Sequence, residues 1–132
     1  MADRVEEADM IQGLRTVVYH VEDLDRAKAW YTDLLGVKPY FDEPFYVGFN
    51  VGGFELALDP DMNGITRGNN LVAYWGVKEI DAAYKRALEL GAVKHTEVLD
   101  VGAGIRVATV LDPFGNLFGL IENPHFKIES SE

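Results

Sequence analysis

The 132-residue sequence contains no cysteine. That absence excludes a disulfide framework, thiolate-held zinc or iron–sulfur centres, and a cysteine nucleophile. Histidine is scarce as well, with three in the chain. No two of them show the H-x-H or H-x-x-x-H spacing from which a metal site could be argued. Positive charge is thin: 12 Lys and Arg stand against 22 Asp and Glu, a formal charge of −10. Phosphate backbones and anionic bilayers are held by concentrated Lys and Arg, so neither nucleic acid nor a membrane surface is expected as a partner. No apolar run approaches the ~18 residues of a membrane span. The opening MADRVEEAD lacks the basic and apolar parts of a signal peptide, and a cytoplasmic protein is the expectation.

What is present suffices for one core. Hydrophobic residues make up 48% of the chain and aromatics 11%. A single domain of about this size buries roughly two thirds of the surface its unfolded chain exposes. We place it at residues 12–126, between a flexible acidic tail (1–11) and a short C-terminal tail (127–132).

The chain is punctuated twice in the same way. LRTVVYHV, residues 14–21, is β-branched and aromatic and reads as a strand. Leu24, Ala27, Tyr31, Leu34 and Leu35 then fall on one helical face, with Asp23 placed to cap the start and Gly36 to end it. KPYF, FYVGFNV and FELAL follow as three extended pieces, the last two joined at Gly52-Gly53. Residues 60–70 (PDMNGITRGNN) are polar and rich in Gly and Asn, marking a linker between module one (13–60) and module two (71–124). The order then restarts: LVAYWGV as a strand, and a helical stripe of Ile80, Ala83, Tyr84, Ala87 and Leu90 ending at Gly91. VKHTEVL, IRVATVL and LFGLIE complete it, the last two joined by the turn DPFGN. The letters repeat too. VEDLDRA (21–27) matches VKEIDAA (77–83) at an offset of 56, and FELALDP (54–60) matches FGLIENP (118–124) at an offset of 64. An internal repeat of this kind implies a pseudo-twofold. The fold class is therefore α+β: two βαβββ modules forming an open eight-stranded mixed sheet around a cleft, with helices on the outer face.

HVEDLDRAKAWYTDLLGVKPYF in the first half and LDPFGNLFGLIE in the second resemble the signatures of the vicinal oxygen chelate superfamily. That superfamily contains glyoxalase I, extradiol dioxygenases, fosfomycin-resistance thioltransferases and bleomycin-binding resistance proteins. The likeness spans residues 12–126, and its motifs are structural, so they speak to fold more than to chemistry. In metal-dependent members one residue from the first and one from the last strand of each module holds the ion. Carried over one at a time, those positions fall on Thr16, Glu55, Val72 and Gly119. A catalytic metal asks for about three His, carboxylate or thiolate ligands, and here there is one. The resemblance therefore implies a member that has lost most of its metal ligands; no metal residue and no cofactor is assigned. An unusual divalent-metal site recruiting His20 with Glu55 is the alternative. Glu122 lies an odd number of residues from Gly119 and should face the helices.

Period-2 alternation turns Thr16, Val18 and His20 to the cleft beside Glu55, Ala57 and Tyr74, an apolar cavity with a few polar groups, the composition of a small-molecule pocket. Glu55 and His20 are the candidates for acid–base catalysis, Glu55 through a raised pKa. Otherwise Glu55 should pair with Arg15 or Arg106, or face water. The aromatic stretch Tyr40, Phe41, Phe45 and Tyr46, broken by Asp42, Glu43 and Pro44, suits a flat or cationic ligand; Tyr40 and Phe45 are expected to pack the first helix against its sheet or to sit in a dimer interface, and Phe41 and Tyr46 to line the site. The ligand-binding set is thus Thr16, His20, Phe41, Tyr46, Glu55 and Tyr74. His95 and His125 are assigned to surface or dimer contacts. The leading functional reading is a glyoxalase- or bleomycin-resistance-like homodimer binding a small organic molecule, cationic or aromatic, without the usual metal. The rivals are a metal-dependent lyase, isomerase or dioxygenase and a non-catalytic interaction module.

Overall fold

The computed structural model describes residues 10–127, so most of both expected tails lies outside the described residues. Module one runs β1 (Thr16–His20), α1 (Leu24–Leu35), β2 (Phe41–Glu43), β3 (Tyr46–Val51) and β4 (Phe54–Asp59). Module two runs β5 (Tyr74–Gly76), α2 (Ile80–Glu89), β6 (Val93–Gly102), β7 (Ile105–Leu111) and β8 (Leu117–Glu122). Each module forms a four-stranded mixed sheet of the same topology, β1-β4-β3-β2 and β5-β8-β7-β6, with the first and last strands parallel. The repeat read from the sequence is therefore a repeat of structure.

Local chemistry sets the element ends. The Asp23 carboxylate accepts from the Arg26 amide at 3.1 Å, capping α1. Gly36 closes that helix with φ +73°, a left-handed conformation costly for any residue with a Cβ. Glu79 gives α2 no side-chain cap. Instead Glu122 reaches from β8 to accept from the Ile80 amide at 2.8 Å, which places it on the helix side as its parity requires. Strand β5 is shorter than the expected 71–77. It pairs only with β8, and Leu71 at 85% exposure has no packing to hold it in the ladder.

The core lies between helices and sheets. Ala27 and Tyr31 of α1 pack toward Val47, Phe49, Leu56 and Leu58, while Ile80 and Ala87 of α2 belong with Ala108, Val110, Phe118 and Leu120. Aromatic rings join the modules. Tyr19 stacks on Tyr31 and on Phe118, both at 6.0 Å, and Trp75 stacks on Phe118 at 6.4 Å. Trp75 also donates its indole N–H to the Tyr19 hydroxyl at 3.0 Å. Those two residues are equivalent at the 56-residue offset, so they meet where a pseudo-twofold must pass. The buried Tyr31 hydroxyl crosses to module two and donates to Asp112 at 2.6 Å. The other Asp112 oxygen accepts from the amides of Phe114 and Asn116 at 2.9 and 2.8 Å, fixing the DPFGN turn.

Candidate functional site

Register assembles the site on the helix-free face of the first sheet. Thr16 pairs with Glu55, Glu55 with Asn50, Ala57 with Gly48, and Gly48 with Phe41. Cross-strand partners share a face, so Thr16, Glu55, Gly48, Phe41 and, two residues from Gly48, Tyr46 all project to one side. Their neighbours Val47, Phe49, Leu56 and Leu58 are fully buried against the helices.

At the centre the Glu55 carboxylate is held by three hydroxyls. Thr16 and Tyr46 donate to Oε1, each at 2.9 Å, and Tyr40 donates to Oε2. Tyr40 reaches it because its amide donates to the Gly48 carbonyl at 2.9 Å, laying the ring over a residue with no side chain. A carboxylate offers about four acceptor positions. Three are taken, and the one remaining belongs to Oε2.

These bonds set the protonation states. Partial burial is the largest single influence on Glu55 and raises its pKa, but the bonds from Tyr40, Thr16 and Tyr46 together lower it below the ordinary 4.5. The phenols move the other way. Desolvation, then the hydrogen bond to Glu55, pushes Tyr46 up to about 12, and Tyr40 is raised chiefly by its bond to the same carboxylate. At neutral pH the cluster is one anion with three neutral donors.

Several expectations are corrected here. Glu55 is neither a raised-pKa base nor the partner of an arginine: Arg15 donates to the Gln12 and Leu14 carbonyls, and Arg106 pairs with Asp81. Tyr40 and Phe45 do not pack a helix onto its sheet; both are 65% exposed, and Tyr40 is a direct partner of Glu55. Of the expected ligand-binding residues, Thr16, Tyr46 and Glu55 converge. Phe41 joins them edge-on to Tyr46, with ring centres 6.0 Å apart. His20 lies at the far end of β1, its Nδ1–H donating to the Asp61 carbonyl at 2.7 Å. Tyr74 lies on β5 against Gly119, and neither contacts Glu55. Gly48 is the residue the sequence reading missed, and with it the role of Tyr40 as a donor to Glu55. A lone glycine inside FYVGFNV is the signal that pointed to them, since glycine within a strand often marks a close approach.

The superfamily's divalent metal does not fit this donor set. Of the four transferred positions only Glu55 carries a metal-ligating group of the usual kind, and its oxygens are engaged by hydroxyls. A Cβ on Gly119 would lie 2.7 Å from the Ala73 carbonyl oxygen and 2.9 Å from Val72 Cγ1, so even a substituted ligand has no room there. Among the described residues no three His, Asp or Glu side chains are grouped to hold an ion.

The fold and this face define a paired βαβββ protein. A family model described as the Glyoxalase/Bleomycin resistance protein/Dioxygenase superfamily matches residues 13–120, and the chain belongs to that superfamily. Similar solved structures include a glyoxalase-related enzyme from Fulvimarina pelagi, at 20% identity and a TM-score of 0.75, covering 91% of this chain and 94% of the other. The fosfomycin resistance protein FosX from Listeria monocytogenes aligns at 19% identity with a TM-score of 0.72, covering 88% and 97%. A glyoxalase/bleomycin resistance protein from Catenulispora acidiphila aligns at 25% identity with a TM-score of 0.65, covering 85% and 100%. No curated protein matches the sequence significantly. Among the described residues no helix is long and apolar enough to cross a membrane.

Proposed function

We propose that the protein binds a small organic cation on the helix-free face of its first sheet, with Glu55 contacting the ligand directly instead of through a metal. The observation that carries this reading is the three-hydroxyl cradle, which keeps Glu55 anionic and leaves one Oε2 acceptor position open. A half-buried carboxylate of this kind gains most from an N–H or quaternary ammonium group. Tyr46 bonds it directly, and Phe41 stands edge-on to Tyr46 at 6.0 Å and to Phe45 at 6.2 Å. Aromatic faces attract cations by about 0.5–2 kcal/mol each. A chain of net charge −10 also draws cations toward itself.

The reading includes a cytoplasmic homodimer. Val93, Leu99 and Val101 on the β6 edge are each more than half exposed, apolar surface that a second copy would cover. Sedimentation at the 14.7 kDa of one chain would reject the dimer.

Benzyltrimethylammonium is the test probe. It should raise the melting temperature in the presence of EDTA, and Glu55→Gln should remove that shift. A shift abolished by EDTA, or retained in Glu55→Gln, would overturn the reading.

A further inference from the structure

At the other end of β1 lies a second depression of about 310 Å³, between the inter-module linker and the DPFGN turn. Val18, Leu71 and Leu117 provide its apolar wall, and His20, Arg67 and Asn116 its polar one. Arg67 is the unusual member. In a chain with ten more acids than bases, it makes no ion pair among the described residues. It is nevertheless held in place. Its Nη1 donates to Asn116 Oδ1 at 2.8 Å and to the His20 carbonyl at 3.3 Å. Asn116 is anchored in turn, its Nδ2 donating to the same His20 carbonyl at 3.0 Å. The side chain passes close to Gly115, where a Cβ would stand 3.1 Å from Nε and 3.3 Å from Cδ.

We propose that this depression binds a small-molecule carboxylate through Arg67. Both engaged hydrogens sit on Nη1, so Nε–H and the Nη2 hydrogens have no protein partner among the described residues. Nε–H and one Nη2–H form a parallel pair whose spacing matches the two oxygens of a carboxylate. Among the described residues no carboxylate comes within ion-pair distance of Arg67. The His20 ring donates from Nδ1 to the Asp61 carbonyl, which leaves Nε2 an acceptor, so the carboxylate is held by Arg67 and not by the imidazole. A carboxylate monoanion is favoured over a phosphate dianion because one guanidinium balances one charge, in a protein whose remaining field is strongly negative. The ligand's apolar body would lie on Val18 and Leu117. Thr16 and His20 are four residues apart on one strand face, about 13 Å at the usual rise, so this site is separate from the Glu55 cradle and does not depend on it.

The test is a titration of ¹⁵N-labelled protein with 3-phenylpropionate, its uncharged analogue 3-phenylpropionamide, and inorganic phosphate, following the Arg67 Nε and Asn116 Nδ2 resonances by NMR. The acid should give saturable shifts and the amide none. Arg67→Gln should weaken binding at least ~10-fold, and Arg67→Lys, which keeps the charge without the fork, should weaken it several-fold. Equal binding of the amide, unchanged affinity in Arg67→Gln, or no saturable shift with the acid would overturn the proposal. Tighter binding of phosphate than of the carboxylate would overturn the ligand class. Any of these outcomes leaves the cation reading at Glu55 standing.

Discussion

Gly48 lies directly beneath the Glu55 carboxylate: a Cβ at that position would overlap Oε2 and come within 3.2 Å of the Tyr40 ring. The absence of one side chain thus lets a phenol and a carboxylate meet on the open face of a sheet. Gly48→Ala should separate them. The overlapped atom is the end of a flexible side chain, so the fold should survive with a loss of about 1 kcal/mol, while probe binding falls sharply. Thermal melts and calorimetry on one sample separate the two effects.

Gly119→Ala is the stability counterpart. Here the added methyl meets the Ala73 backbone oxygen at 2.7 Å, which cannot swing aside. We expect a loss of about 1–3 kcal/mol in urea unfolding, larger than for Gly48→Ala. The reverse order would contradict the reading of both sites.

Tyr31→Phe tests the junction between modules. The hydroxyl it removes donates at 2.6 Å to Asp112, which is only 3% exposed. Leaving that buried oxygen with only the long 3.4 Å bond from Asn116 Nδ2 costs about 1.5–3 kcal/mol, and urea unfolding of the variant should show it as a lower midpoint with little change in slope.

The pH dependence follows from the sign of each shift. Glu55 is lowered below 4.5 by its bonds in the folded protein. Its contribution to stability and to cation binding is therefore complete above that value and lost as pH falls through the lower folded one. Tyr46 is raised to about 12, so its donor bond is intact through the ordinary phenol range near 10 and lost only as pH approaches 12. Probe affinity should be flat between these limits. In alkaline titration at 295 nm, Glu55→Gln should bring Tyr46 ionisation to lower pH. The movement should be partial, because desolvation is the larger cause of its shift.

The repeat, the caps of α1 and the faces of β1, β4 and β8 were legible in the sequence, because periodicity and paired letters record them directly. Glu122 illustrates this: parity alone put it on the helix side, where it caps α2. The partners of Glu55 were only partly legible. Thr16 follows from alternation along one strand, but Tyr40 reaches Glu55 over Gly48, from outside the strands, by a geometry that exists only once β2 and β3 have paired. Arg67 carried no signal at all. It sits in a polar linker, and its environment comes from the DPFGN turn almost fifty residues away.

The most direct test of the account is an isotope-filtered NOE experiment on the untagged protein with bound benzyltrimethylammonium, in the presence of EDTA. The account predicts contacts from the trimethyl protons to the ring protons of Tyr40, Phe41 and Tyr46, absent in Glu55→Gln. Contacts confined to other parts of the molecule, or contacts that vanish when EDTA is added, would contradict it.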